Sequence, residues 1–206
     1  SSKNDICRYF DYPSKNIFVI WNGINLDDCK FHQRESFNAN FVTIISADVP
    51  MKNLKTVLKA LYLLKQEGIN AKLTIVGDLR EDNNKLIDRL GLTKEITYKS
   101  KLPRKQLIQS LNNADIGIAP SKYEGFGFPL VEMIATGLPV IVSDKASLPE
   151  LAGNAGLIFN SSDSNDLKEK MKELIENAAL RNKVAENSKL RRDDFFGWDE
   201  YAKKLE

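Results

Sequence analysis

Short apolar runs that favour β-strands alternate with segments of helical periodicity along most of this chain. Continuous apolar strands of this kind are typical of a parallel sheet that helices cover on both faces. The alternation therefore predicts an α/β protein with a doubly wound parallel sheet. The predicted strands are 17–20, 41–45, 73–76, 96–98, 116–119, 139–142 and 157–159, and the predicted helices are 53–67, 81–90, 104–112, 129–136, 166–177, 178–190 and 199–205.

The loops that follow the predicted strands are the places where we expect a ligand site. Right-handed crossovers bring the carboxyl ends of parallel strands to one edge of the sheet, and ligands bind in the crevice outside that edge. Three loops lie at such strand ends, at 46–52, 77–80 and 120–128. The search for functional residues therefore concentrates on these loops.

Composition and charge exclude several classes of function. The chain has 206 residues, a length that suits one large domain. Its 30 basic and 28 acidic residues leave a net charge of +2, which gives no electrostatic reason to bind nucleic acid. The single histidine, His32, excludes a histidine-rich metal site, and Cys7 and Cys29 are expected to be plain thiols. No apolar run approaches the roughly 20 residues that a membrane-spanning helix needs.

The segment 120–132 carries the clearest functional pattern in the sequence. A predicted strand ends there, a loop with Gly125 and Gly127 follows, and a predicted helix begins. The free N–H groups and the dipole of a helix N-terminus attract anions, and glycines let a polar ligand approach the backbone closely. Glu124 precedes the predicted helix and Glu132 lies inside it, so the intervening loop prevents them from forming a close acid/base pair on one helix face. We infer that each carboxylate holds a different hydroxyl-bearing part of one ligand, such as a ribose.

This segment resembles the donor-site signature of retaining glycosyltransferases of family 4, which have the two-domain GT-B fold. Other segments match the family in the expected order, among them an opening strand with an Asn-Gly turn and a phosphate-binding lysine segment. The resemblance covers nearly the whole chain and implies the carboxy-terminal, donor-binding, Rossmann-like domain of such an enzyme. The matching segments are 19–25, 50–54, 73–77, 114–121, 124–132, 135–141 and 148–150.

The resemblance also implies roles for particular residues. Glu124 would lie beside the transferred sugar, Lys52 would face the diphosphate, and these two would be the catalytic residues. A fixed ammonium and helix N–H groups can stabilise the departing diphosphate, so the resemblance implies transfer with neither a metal ion nor a cofactor. The substrate would be a nucleoside-diphosphate sugar such as a UDP- or GDP-sugar. The residues implied in donor binding are Glu132 at the ribose, together with Gly125, Phe126, Gly127, Phe128, Leu130, Asn22 and Gly23.

One departure from the family concerns the diphosphate. Members of the family carry an arginine five residues before the lysine or directly before it, and here those positions hold Ala47 and Met51. We therefore expect the diphosphate to depend on Lys52 alone, or on Lys52 assisted by Arg80 or Lys101.

The resemblance divides the chain into three parts. Residues 1–16 would be the end of an amino-terminal domain that binds the glycan or lipid-linked acceptor, and 17–190 would be the nucleotide-sugar domain. Residues 191–206 would form a carboxy-terminal helix that docks on the amino-terminal domain. A chain of this extent is expected to bind the donor but not to complete transfer alone. We expect a cytoplasmic protein of surface-glycan synthesis, and the basic run 189–192 offers a contact with the inner face of a membrane.

Three other functions compete with this interpretation. A dinucleotide-dependent oxidoreductase would use Gly125 and Gly127, but the third glycine position holds Leu130 and the loop does not follow the first strand. A degenerate nucleotide-binding module would explain Ala47 and Met51. A nucleotide-sugar epimerase can share the architecture, but the paired glutamates favour transfer.

Overall fold

The predicted parallel sheet is confirmed in the computed structural model, which describes residues 2–32, 34, 36–45 and 48–205. The sheet has six strands in the order β3-β2-β1-β4-β5-β6, and every neighbouring pair is parallel. This is the classical Rossmann order, in which the chain starts in the middle and winds outwards twice. The strands are β1 (Asn40–Ile45), β2 (Lys72–Gly77), β3 (Ile96–Lys99), β4 (Ile116–Ala119), β5 (Val140–Ser143) and β6 (Gly156–Phe159).

Helices connect these strands and flank the sheet. Two begin at a residue whose side chain caps the helix: the Asp163 carboxylate accepts from the backbone N–H groups of Asn165 and Asp166, and the Asn177 side chain accepts from that of Leu180. The helices are α1 (Ser2–Phe10), α2 (Leu54–Gln66), α3 (Glu81–Arg89), α4 (Arg104–Asn112), α5 (Phe128–Ala135), α6 (Leu148–Ala152), α7 (Ser164–Glu176), α8 (Ala178–Arg192) and α9 (Trp198–Leu205).

The core lies on both faces of the sheet because successive side chains of a strand point to opposite faces. In β1, Phe41 and Ile45 join the cluster that packs against α2, α3 and α7. Val42, between them, joins the cluster that packs against α4, α5 and α6. The central strands β1, β4 and β5 are therefore buried on both faces, as their continuous apolar sequences predict, whereas the edge strands β3 and β6 are only partly buried.

The predicted strand at 17–20 is wrong. These residues form irregular backbone in the described chain, and Phe18 is 85% exposed. β-Branched and aromatic residues favour a strand only where a neighbouring strand can accept their backbone hydrogen bonds. The described sheet consists of β1 to β6, and 17–20 is not hydrogen-bonded to any of them as a strand. The sequence analysis also missed α1 and the short α6.

The carboxy-terminal segment folds back onto the domain itself. The Ile24 N–H donates to the Phe196 carbonyl at 3.0 Å, and the Trp21 and Phe195 rings lie 5.7 Å apart. The Arg191 guanidinium lies over the Trp21 ring, 4.8 Å from its centroid. Residues 191–205 therefore pack against the segment that precedes β1, and their predicted docking on an amino-terminal domain stays a prediction.

Candidate active site

The strand order reverses between β1 and β4, and two loops meet at the carboxyl ends of these strands. The Lys122 N–H donates to the Met51 carbonyl at 2.7 Å, which ties the loops together. Asn53 is buried with a φ of 57°, and its side-chain amide donates to the Pro120 carbonyl at 3.0 Å and to the Ser161 carbonyl at 2.8 Å. The crevice expected at a topological switch point is thus held by one backbone hydrogen bond and by two hydrogen bonds from the Asn53 side chain.

The two residues predicted to be catalytic meet across this crevice. The Lys52 Nζ lies 2.6 Å from the Glu124 Oε1, and both side chains are largely buried, at 16% and 17% exposed. The Ser121 hydroxyl donates to the same carboxylate oxygen at 2.8 Å. The pair comes from loops that follow different strands, so only the fold brings a lysine and a glutamate 72 residues apart into contact.

The glycine loop ends in a helix N-terminus that faces the same edge of the sheet. Gly127 caps α5 with a φ of 105°, a conformation that L-residues with a side chain rarely adopt. The Ser147 hydroxyl donates to the Phe126 carbonyl at 2.6 Å and holds the loop from the side of α6. Leu130 lies in the first turn of α5, as predicted, but its N–H donates to the Gly127 carbonyl at 2.9 Å, and Pro129 has no N–H. The Phe128 N–H and the helix dipole are therefore what this turn offers to an anion.

Glu132 lies one turn inside α5 and is paired. Its carboxylate accepts from Arg104 in the first turn of α4, and its side chain is 13% exposed. Burial raises the pKa of Glu132 above its ordinary value, and the Arg104 guanidinium offsets only part of this effect. The Asp28 carboxylate accepts from Arg104 as well, at 2.8 Å and 3.0 Å, and this pairing lowers the pKa of Asp28.

Neither Arg104 nor Asp28 was found by sequence reasoning. The signal that could have found Arg104 is a cation in the first turn of a predicted helix, where the dipole disfavours positive charge. Asp28 carries no comparable signal, because a loop aspartate is ordinary.

The two cysteines are free, as expected. Cys29 is fully buried beside Arg104, and burial raises the pKa of this thiol to about 12. A thiol with such a pKa stays protonated at neutral pH, so Cys29 packs as a small apolar side chain.

The remaining donor-site candidates divide into two places. Asn22 lines a cavity of about 300 Å³ together with Glu124, Gly125 and Phe126. Gly23 faces α9 instead, where an added Cβ would lie 2.7 Å from the Trp198 Cα.

The aromatic residues of the glycine loop link the site to α9. The Phe126 and Phe128 rings meet edge to face at 5.2 Å, and the Phe128 ring lies 6.5 Å from that of Trp198. This packing leaves the loop backbone, rather than the rings, as the part of 126–128 that a ligand could use.

The positions expected to bear on a second cation at the diphosphate site differ in their surroundings. Ala47 lies outside the described residues, and Met51 is 47% exposed. Lys101 lines a separate cavity of about 200 Å³ beyond β1 and β2. Asp48 is buried and accepts from the Arg80 N–H at 2.7 Å, so it caps α3 rather than adding free charge to the diphosphate site.

Two features are absent from the described residues. No cluster of three or more histidine, cysteine, aspartate or glutamate side chains there could hold a metal ion. Within the same residues, no helix combines the length and apolarity needed to cross a membrane.

The fold is that of the Rossmann-like domain found in GT-B glycosyltransferases. The family model described as "Glycosyl transferases group 1" matches residues 28–191. The chain belongs to this family.

Individual relatives agree with that membership. The chain is 29% identical over 208 residues to the MMP alpha-(1->4)-mannosyltransferase of Mycolicibacterium hassiacum, covering 98% of this chain and 50% of the relative. It is 26% identical over 211 residues to the O-antigen chain mannosyltransferase B of Escherichia coli, covering 96% of this chain and 55% of the relative. The chain therefore spans about half the length of the curated relatives it matches.

A solved structure supports the fold. Anabaena HepE, crystallised in complex with UDP and glucose, matches with a TM-score of 0.83 at 18% identity. The match covers 99% of this chain and 59% of HepE. At this identity the likeness supports the architecture alone.

Proposed function

We propose that this chain binds a nucleoside-diphosphate sugar and supplies the donor side of a retaining glycosyl transfer. The observation that carries the proposal is the arrangement of Lys52, Glu124 and Glu132 around the N-terminus of α5. One ammonium, one helix N-terminus and two carboxylates match one diphosphate between two hydroxyl-bearing sugars. The family to which the chain belongs supports transfer as the reaction.

Each part of the donor then has a partner. The ribose hydroxyls donate to Glu132, the diphosphate lies between Lys52 and the first turn of α5, and the hexose hydroxyls lie beside Glu124. The diphosphate of the donor must replace Glu124 as the partner of the Lys52 ammonium, because Lys52 and Glu124 form an ion pair in this structure. Exchange of this partner for a diphosphate frees the Glu124 carboxylate to accept from hexose hydroxyls.

The chemical step follows from charge. The bond between the anomeric carbon and the diphosphate oxygen breaks, and the electron pair leaves with the diphosphate. The acceptor hydroxyl bonds to the same face of that carbon, which retains its configuration, and its proton passes to the departing diphosphate oxygen. Lys52 and the helix N–H groups stabilise the new negative charge on the leaving group, so we propose that transfer is independent of a metal ion.

The sugar and the acceptor are proposed from the names of the two relatives and from how much of them the chain covers. Both relatives named above are mannosyltransferases, which favours a mannosyl unit, and one acts on an O-antigen chain. We assign the acceptor, a glycan or a lipid-linked glycan, to a further domain, because the chain covers about half of these relatives. The chain alone should therefore bind the donor without completing transfer.

The cellular location of the protein is also part of the proposal. Synthesis from nucleotide sugars fits the cytoplasm, and a peripheral contact with the inner membrane face would use the basic run 189–192. Within that run Arg191 already contacts the domain itself: its guanidinium donates to the Leu151 carbonyl at 2.9 Å and lies over the Trp21 ring. Lys189 pairs with the exposed Glu186 at 3.6 Å, so such a contact would use Arg192 and, in exchange for this pairing, Lys189.

Calorimetric titration of the purified chain with UDP, GDP and NAD tests the proposal. UDP or GDP should bind, and Glu132→Ala should weaken that binding by about 1–3 kcal/mol because a charged hydrogen-bond acceptor is lost. Glu186→Ala, which removes an exposed carboxylate on α8, is the matched control and should leave the affinity unchanged.

Each contrary outcome points to a different alternative. Binding of NAD with no binding of UDP or GDP would indicate the oxidoreductase. Absence of binding to all three would favour the degenerate module, and an unchanged affinity in Glu132→Ala would remove the ribose assignment.

A further inference from the structure

Arg104 lies at a helix N-terminus, a position where the helix dipole disfavours a positive charge. It occupies the first turn of α4, which contains no acidic residue. A helix N-terminus carries a partial positive charge, so a cation in this turn costs some helix stability. The position therefore calls for an interaction outside the helix.

The guanidinium makes that interaction with a fixed set of partners. Its Nε–H donates to the Asp28 Oδ2 at 2.8 Å, and its Nη2–H donates to the Asp28 Oδ1 at 3.0 Å. The Nη2 also contacts the Cys29 Sγ at 3.2 Å, and the Nη1 donates to the Glu132 Oε1. The bidentate pairing with Asp28 fixes the plane of the guanidinium and aims the Nη1 at Glu132.

We propose that Arg104 is a positioning residue, which holds the Glu132 carboxylate in place for the hydroxyls of a nucleotide ribose. Asp28 orients Arg104 in turn. The inference rests on the proposed function, because it takes Glu132 as the group that binds the ribose. It adds a residue pair from α4 and from the segment before β1 to a site otherwise built from α5 and two loops.

The charge of Arg104 matters as much as its position. Glu132 needs to be ionised in order to accept from two vicinal hydroxyls, since a protonated carboxyl loses an acceptor site. The charged and titratable groups that face it are Arg104 on α4, and Asp28 and Cys29 on the segment before β1. Burial and the Asp28 charge both raise the pKa of Glu132, and Arg104 is the group that lowers it.

Ribonucleotide binding should depend on pH through the ionisation of Glu132. Ribonucleotide binding is present while Glu132 is ionised and is lost as the pH falls through its pKa. Removal of Arg104 removes the lowering influence, so the pKa of Glu132 rises further. Binding should then be lost at a higher pH than in the unaltered chain.

The test compares two ligands and two variants. UDP or GDP, whichever binds the unaltered chain more tightly, is titrated beside its 2′,3′-dideoxy analogue, which lacks the ribose hydroxyls. Arg104→Met should weaken binding of the ribonucleotide by about tenfold and leave the dideoxy analogue nearly unchanged. Lys105→Met, an exposed neighbour on the same helix, is the control and should alter neither.

The pH profile separates positioning from simple structural support. The acid limb of ribonucleotide binding should move to higher pH in Arg104→Met. Arg104→Lys keeps the charge and loses the planar fork, so it should restore the acid limb and recover the affinity only in part. If Arg104→Met does not fold, Asp28→Asn, which only loosens the orientation of Arg104, should give a smaller loss confined to the ribonucleotide.

The outcomes that overturn the inference differ from those that overturn the proposed function. Equal losses for both ligands would mean that Arg104 contacts the base or phosphate directly, and the positioning role would be rejected. The positioning role would also be rejected if Arg104→Met bound the ribonucleotide in preference to the dideoxy analogue as strongly as the unaltered chain does, and lost binding at the same acidic pH. An unaltered chain that binds neither nucleotide, or that does not distinguish the dideoxy analogue, would instead overturn the ribose assignment on which both proposals depend.

Discussion

At the scale of single residues, several of the less exposed charges in this domain are paired between elements that are distant in sequence. Lys52 meets Glu124 between two loops, and Lys168 of α7 meets Glu67 at the end of α2 at 2.6 Å. Lys172, one turn further along α7, also reaches Glu67 at 2.8 Å. Such pairs fix the relative placement of elements more than they add stability, because each exposes part of its charge to water.

Glu67 allows a test of this pairing through pH. Hydrogen bonds from Lys168 and then from Lys172 lower the pKa of Glu67 from 4.5 to about 2. The contribution of Glu67 to stability is therefore complete above about pH 4.5 and is lost as the pH falls towards 2. Glu67→Gln should lower the urea midpoint at pH 6, and this difference from the unaltered chain should shrink below pH 4.5.

A control separates the pair from the general loss of a negative charge. Glu173→Gln removes a carboxylate that pairs with Lys170 of its own helix at 3.8 Å. It should change the urea midpoint less than Glu67→Gln at pH 6. An equal change in the two variants would show that the contacts between α2 and α7 have no special role.

At the scale of secondary-structure elements, the junction between β4 and α5 is the most demanding part of the chain. Gly127 needs a positive φ, and an added Cβ would lie 3.1 Å from Leu148 and 3.3 Å from Leu151. Gly125, two residues earlier in the same loop, has open space where a Cβ would project. The two glycines thus have different roles. Gly127 allows the backbone to turn, and Gly125 leaves the backbone open to a ligand.

This difference predicts opposite results from the same substitution. Gly127→Ala should destabilise the fold by about 1–3 kcal/mol, because alanine is strained at this φ and its methyl group meets α6. Gly125→Ala should keep the thermal midpoint but weaken binding of UDP or GDP sugars, since the methyl group would occupy the approach to the loop. Thermal melts and calorimetric titration of both variants measure the two effects.

Two other results would contradict this division of roles. A Gly127→Ala variant as stable as the unaltered chain would mean that the loop relaxes around the methyl group. Unchanged binding in Gly125→Ala would mean that the ligand does not approach the backbone there.

At the scale of the whole molecule, the end of the chain closes onto its beginning. Phe195 is buried against Trp21, and the following residue pairs its backbone with Ile24. Arg191 reinforces this contact by donating to the carbonyls of Glu150 and Leu151 in α6. The carboxy-terminal segment is therefore part of the domain that carries the glycine loop.

Phe195 should accordingly contribute to the stability of the whole domain. Phe195→Ala should lower the free energy of unfolding by about 3 kcal/mol, because it leaves a cavity beside Trp21 and Arg191. Leu205→Ala, at a side chain 61% exposed in α9, should change it little. Urea denaturation monitored by tryptophan fluorescence compares them, and similar midpoints for the two variants would show that the segment docks only weakly.

Local sequence patterns were enough to predict the six strands of the sheet, seven of the helices in the described residues and their order along the chain, because apolar runs and 3.6-residue periodicity are local properties. The predicted bounds of α4 and β4 match the structure residue for residue. The loop at 124–132 was also found from sequence, since its glycines and glutamates lie close together along the chain.

Tertiary structure alone decided which groups meet. Arg104 is 28 residues from Glu132 and 76 residues from Asp28, and no local pattern links residues at such separations. The apolar run at 17–20 was mistaken for a strand because its sequence says nothing about whether the sheet has room for it. Local patterns specify backbone conformation, whereas contacts between distant side chains depend on how the finished elements pack.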